Sequence, residues 1–139
     1  MLVNLIPALS LSPALALGCL SGYDKTCEIL HSPQWQLPQK LLIHSLGYPD
    51  DRGDREVVTE VMDEFGFCPE TFPAFAIQGV AEVICHGLPE LYILESYFLP
   101  EPIYDVLPPG DTRSGSLWLP QTPEQAQAFR WAIQELPTV

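Results

Sequence analysis

The 139-residue sequence predicts a mainly α domain: an irregular bundle of short helices with a proline-rich extended segment. Three observations lead there. Fifteen prolines cut the chain into short pieces, which excludes long helices. Several pieces open on helix-start residues and close on glycine. Others carry apolar side chains at helical spacing. The alternative is an α+β domain with a small antiparallel sheet near 74–98. The length fits a single domain over 1–139, with 100–116 as a strap or loop.

From Met1 to Leu20 the chain carries no charge. It lacks the basic region of a secretory signal, and Pro7 and Pro13 interrupt it as a membrane span. Ala16-Leu17-Gly18-Cys19 shares part of a bacterial lipobox but lacks the leucine three places before the cysteine. The stretch reads as a buried strand or loop followed by a core helix. Ser12-Pro13 opens that helix, because serine accepts from orphan amides and proline suits the first turn; Ser21-Gly22 stops or kinks it. A second short helix is expected over Tyr23–His31. A third starts at Pro38, runs through QKLLIHSL and is closed by a left-handed Gly47.

Asp54 to Phe65 shows the clearest periodicity. Val57, Val58, Val61, Met62 and Phe65 form one apolar stripe, and Glu56, Glu60, Asp63 and Glu64 take the other side. Asp63 and Glu64 oppose the helix macrodipole, and Glu60 and Glu64 repel at i, i+4. A cation or a basic partner would gain most on that face. AFAIQGVAEVICHG and LPELYILESYFL are each read as helix, although both are rich in strand formers and HGLPE between them could turn a hairpin. PEPIYDVLPPGDTRSG contains four prolines and is extended, a strap over the core. Thr122-Pro123-Glu124-Gln125 opens the last helix with a capping threonine, proline first and glutamine three places on to close the box. Ala126, Phe129, Ala132, Ile133 and Leu136 give its buried stripe, and Pro137 ends it.

Charge narrows the function. Eighteen acidic residues face six Lys and Arg, a net charge of −12, and Glu56 to Asp111 holds eleven carboxylates and no basic side chain. Phosphate binding depends on Lys and Arg displacing counterions, so direct nucleic-acid binding and anionic membrane binding are excluded. The four cysteines, Cys19, Cys27, Cys68 and Cys85, follow no disulfide spacing and are expected as free, mostly buried thiols in a reducing cytoplasm.

No chemical motif stands out. Cys27 and His31, with Cys68, Cys85, His86 and His44, could complete a zinc site, but only one closely spaced pair exists where zinc sites repeat theirs. In the acidic loop PDDRGDRE the glycine would put Tyr48 first, where an EF-hand needs an acid; Asp54 serves more simply as a helix cap. A thiol enzyme built on Cys85 or Cys68 with His44 or His86 would need a depressed thiol pKa, against the surrounding carboxylates. No phosphate-binding glycine loop is present. The expectation is therefore no enzyme, no cofactor and no metal. The chain reads as a small acidic interaction or assembly protein, an adaptor for a basic partner, acting through Glu56, Glu60, Asp63, Glu64 and Tyr104. Tyr92, Tyr97 and Trp118 are further candidate aromatics. One alternative is a nucleic-acid-mimicking inhibitor of a DNA- or RNA-binding protein, with Glu56, Glu60, Glu64, Glu70, Glu82, Glu90 and Glu95 on one face. The other is a small metal-binding or thiol enzyme.

Overall fold

The computed structural model describes residues 5–22, 24–30, 39–47, 60, 63–64, 74–87 and 89–134. It overturns the helical bundle. Among the described residues strand exceeds helix, 43% to 24%, and the strands form one six-stranded, curled, mixed sheet resembling half a barrel. In chain order the elements are β1 (Ala8–Leu11), α1 (Pro13–Ser21), β2 (Thr26–Glu28), β3 (Lys40–Ser45), β4 (Ala76–Gly87), β5 (Glu90–Ile103), β6 (Ser116–Trp118) and α2 (Pro123–Gln134). Across the sheet the order is β2-β5-β4-β3-β1-β6. The pair β1/β3 is parallel and its other neighbours are antiparallel. Parallel neighbours need a crossover, and α1 lies in the one between them.

The two ends of the chain follow the sequence reading closely. Ala8–Leu11 is a fully buried strand, and Pro13 stands at the start of α1. Ser12 occupies the N-cap position, but its side chain makes no capping bond. Gly22 ends α1 at φ 83°, the left-handed region that glycine tolerates. At the other end, the Gln125 amide donates to Thr122 Oγ1 (3.1 Å), while Gln125 Oε1 accepts from the Gln121 amide (2.7 Å) rather than from Thr122. Phe129 and Ala132 are the buried residues of α2.

The middle of the chain corrects the sequence reading. Residues expected to be helical over 23–31 contain the edge strand β2. QKLLIHSL gives β3, and Gly47 is not left-handed. The two apolar stretches after Ala74 form the long β4/β5 hairpin, and Pro100–Ile103 belongs to β5 rather than to the strap. The α+β alternative located this hairpin, but the sheet is six-stranded and mixed, not small and antiparallel. The physical reason is burial on both faces. Leu41, Leu42, Ile43, Ala76, Ile77, Val80 and Ala81 are all essentially inaccessible. A strand covered on both sides loses its polar alternation and becomes a continuous apolar run, which helical spacing also satisfies.

Two apolar layers produce that burial. On one face, Ala16, Cys19 and Leu20 of α1 meet Leu9, Leu41, Ile43, Ala81, Val83 and Leu91. On the other, Phe129 and Ala132 of α2 meet Ala8, Leu42, Ile77, Val80 and Trp118, with Val106 of the strap beside them. The hairpin is bulged, with register shifts at Ile77/Gly79, Glu82/Val83 and Ile84/Gly87. Gly79 lies against Leu20 of α1: a Cβ there would collide with the Tyr97 carbonyl and the Leu20 side chain. Because one obstacle is backbone, Gly79→Ala should destabilise the protein by about 2–3 kcal/mol. Urea unfolding of the two proteins measures this as a lowered midpoint at unchanged slope.

Candidate functional site

Strand alternation sorts the polar residues of β2, β5 and β4. Leu91, Ala81 and Val83 face α1. Their neighbours Glu82 and Glu90, with Glu28, therefore face the opposite side, toward the α2 layer, and the register shift between Glu82 and Val83 brings Glu95 to that face beside Glu82. Register places Glu28 directly across from Glu90 and Glu82 directly across from Glu95. Lys40 lies beside Glu82 on β3, and Thr26, Ile84 and Tyr92 share a row between the two glutamate pairs. The α2 layer packs over Ala8, Leu42, Ile77 and Val80 and leaves this end of the sheet accessible. Glu28 and Glu95 are exposed, Glu82 and Glu90 half-buried, and Ile84 and Tyr92 each about 40% exposed.

The tyrosines belong to the same surface. Tyr97 Oη donates to Glu95 Oε2 (2.8 Å), and Tyr92 is hydrogen-bonded to Glu90. Each carboxylate pushes its phenol's pKa upward by accepting that proton. The result is an open patch of four glutamates, two tyrosines and an isoleucine, with Lys40 as its one ammonium among the described residues. Like charges directly opposite on neighbouring strands destabilise a sheet. Here it happens twice on one face.

Of the residues expected to bind a partner, Glu60, Asp63 and Glu64 are helical and exposed, and Tyr104 is 54% exposed. Glu56 and most of the helix expected over 54–65 lie outside the described residues, as do Glu70 and the loop at 50–56. Trp118 is buried core rather than contact surface. Glu82, Glu90 and Glu95 do share a face. Sequence reasoning missed Glu28, because the short Thr26-Cys27-Glu28 alternation was read as helix.

The cysteine and histidine set does not gather into a reaction centre. His31 and Cys68 lie outside the described residues, and Cys85 is an exposed free thiol. Among the described residues, no group of three or more His, Cys, Asp or Glu side chains is arranged to hold a metal ion. His44 is wholly buried with both ring nitrogens engaged: Nε2 donates to the Val106 carbonyl (2.7 Å), and Nδ1 meets Ser10 Oγ at 2.8 Å. A carbonyl can only accept, so the neutral ring carries its proton on Nε2 and Ser10 donates to Nδ1. Ser10 Oγ in turn accepts from Trp118 Nε1 (2.8 Å). Every lone proton and acceptor in this chain is satisfied internally, and Ser10 is inaccessible, so the pair is architecture and not a nucleophile with its base.

No family model matches the chain, and none of the curated proteins does. No described helix is long and apolar enough to cross a membrane.

The buried imidazole makes stability pH-dependent. Burial holds the His44 pKa below its ordinary 6.5, against the opposing hydrogen bond to Val106. The unfolded chain thus takes up the proton first. This contribution is complete above pH 6.5 and is lost as pH falls below it, at up to about 1.4 kcal/mol per pH unit. Urea titrations at pH 7.5 and pH 5 should show that loss, and His44→Gln should flatten the difference. Ser10→Ala leaves the Trp118 N–H and His44 Nδ1 without partners, for an expected cost of about 2–4 kcal/mol by the same measurement.

Proposed function

We propose that this is a small acidic interaction protein that binds a basic segment of a partner protein on the open face of β2, β5 and β4. The observation that carries the reading is the doubled like-charge register, Glu28 against Glu90 and Glu82 against Glu95. Free, this arrangement costs the sheet stability; with lysines or arginines laid across it, the repulsion becomes attraction. Tyr92, Tyr97 and Ile84 add apolar and aromatic area for the stems of such side chains and a surface for their cationic heads. Glu60, Asp63, Glu64 and Tyr104 are exposed as well and are further acidic and aromatic groups for a partner to meet. The net charge of −12 would speed the encounter.

Nucleic-acid mimicry fits this surface less well. It asks for a row of charges at about 7 Å along a strand, whereas directly opposite glutamates on paired strands stand about 5 Å apart. A cytoplasmic location belongs to the same proposal, since Cys19, Cys27 and Cys85 are free thiols.

The trade between charge repulsion and binding supplies the test. Glu90→Gln keeps an acceptor for Tyr92 and removes one repulsion. It should stabilise the free protein by about 0.2–1 kcal/mol while weakening binding. Titration calorimetry with a lysine- and arginine-rich peptide should give an affinity that falls steeply with salt and drops severalfold in Glu90→Gln and in Glu95→Gln. Binding that ignores both substitutions, or no binding at low salt, would remove the proposal.

A further inference from the structure

On the opposite side of β2 the chain places two thiols together. Cys19 lies in the last turns of α1 and Cys27 at the centre of β2, and both belong to the apolar layer between that helix and the sheet. Both also line one cavity of about 330 Å³, together with Leu11, Leu15, Asp24 and Ser114. Cys27 retains 9% exposure, and its neighbours Thr26 and Glu28 are exposed. Sharing one cluster and one cavity, the two thiols act on each other's protonation. Neither is in a disulfide.

We propose that Cys19 and Cys27 form a peroxide-oxidisable dithiol that closes reversibly into a disulfide between α1 and the edge strand β2. The inference is independent of the partner-binding reading, although the strand it tethers carries Glu28.

The chemistry is asymmetric. Contact with Cys27 pushes the Cys19 thiol up, and burial adds to it; the same contact holds Cys27 down against its own burial. Cys27 is thus the sulfur with more thiolate character, and it is also the more accessible of the two, at 9% exposure against 1% for Cys19. Cys27 attacks one oxygen of hydrogen peroxide, the O–O bond breaks, and a sulfenic acid and hydroxide form. Cys19 sulfur then attacks the Cys27 sulfur. The S–S bond forms, the S–O bond breaks, and the departing hydroxide leaves as water with the thiol proton. Two thiols and one peroxide give one disulfide and two waters, with sulfur oxidised and peroxide oxygen reduced. A cellular dithiol reverses it by exchange.

Chain order makes the product easy to read. Lys25 separates the two cysteines, and trypsin releases Cys19 within residues 1–25 and Cys27 within 26–40. After brief treatment of the full chain with hydrogen peroxide, mass spectrometry should find these two peptides joined, in protein that runs at single-chain mass on denaturing, non-reducing electrophoresis. Dithiothreitol should separate them and restore both to alkylation. Oxidation should also raise the thermal midpoint by about 5 °C or more, because the bridge shortens the unfolded chain without disturbing the native contact. A second form, Cys68→Ser with Cys85→Ser, leaves only the two thiols in question and should lose both together. The proposal is overturned if both peptides remain separately alkylated, if Cys27 proceeds to sulfinic acid without joining Cys19, if the link occurs only between two chains, or if oxidation lowers the midpoint.

Discussion

The hydrogen-bonded chain from Val106 through His44 and Ser10 to Trp118 joins four parts of the molecule that share no local sequence. His44 belongs to β3, Ser10 to β1 and Trp118 to β6, and Val106 to the proline-rich strap. Edge-on contacts extend it, with ring centroids of His44 and Trp118 5.5 Å apart and those of Trp118 and Phe129 5.7 Å apart. In a dry interior an unpaired polar group costs far more than the bond that would satisfy it returns. These groups therefore fix the register of β1 against β3 and of β6 against β1, and they hold the strap to the sheet beside α2. Apolar burial drives the sheet together, but it is tolerant of small slips; the polar chain is not.

From that fixed centre the two faces of the sheet take different roles. The middle strands are closed off by α1 on one side and by α2 with the strap on the other. Near the β2 edge the α2 layer runs out, and the same alternation that buries Leu91 beneath α1 turns Glu90 outward. The acidic patch is thus a consequence of how far one helix reaches, as well as of composition. The dithiol has the same origin in reverse. Cys27 sits between Thr26 and Glu28, so the strand that presents a carboxylate to solvent presents a thiol to α1.

The corrections are instructive in their pattern. Segments with explicit start and stop chemistry, Ser12-Pro13 to Gly22 and Thr122-Pro123 onward, are helices as read. Segments judged by apolar spacing alone, from Lys40 to Ser45 and from Ala76 to Ile103, are strands. Backbone capping is a local property and legible locally. The secondary structure of a fully apolar run is decided by what covers it, and a run flanked on both sides offers no polar residue to mark its period. The acidic character of the middle of the chain was also legible, as were Glu82, Glu90 and Glu95 as candidates for one face.

By itself, then, the sequence determined the acidic balance and the helices at both ends. Each of these depends on residue identity or on contacts within a few positions. Only the tertiary structure decided that the middle is sheet, that Glu28 and Glu82 oppose Glu90 and Glu95, that His44 is sealed by Ser10 and Val106, and that Cys19 meets Cys27. Most of those facts rest on pairing between residues tens of positions apart, 34 from Ser10 to His44 and 62 from His44 to Val106. Strand register sets such pairings, and register belongs to the assembled sheet rather than to any one segment.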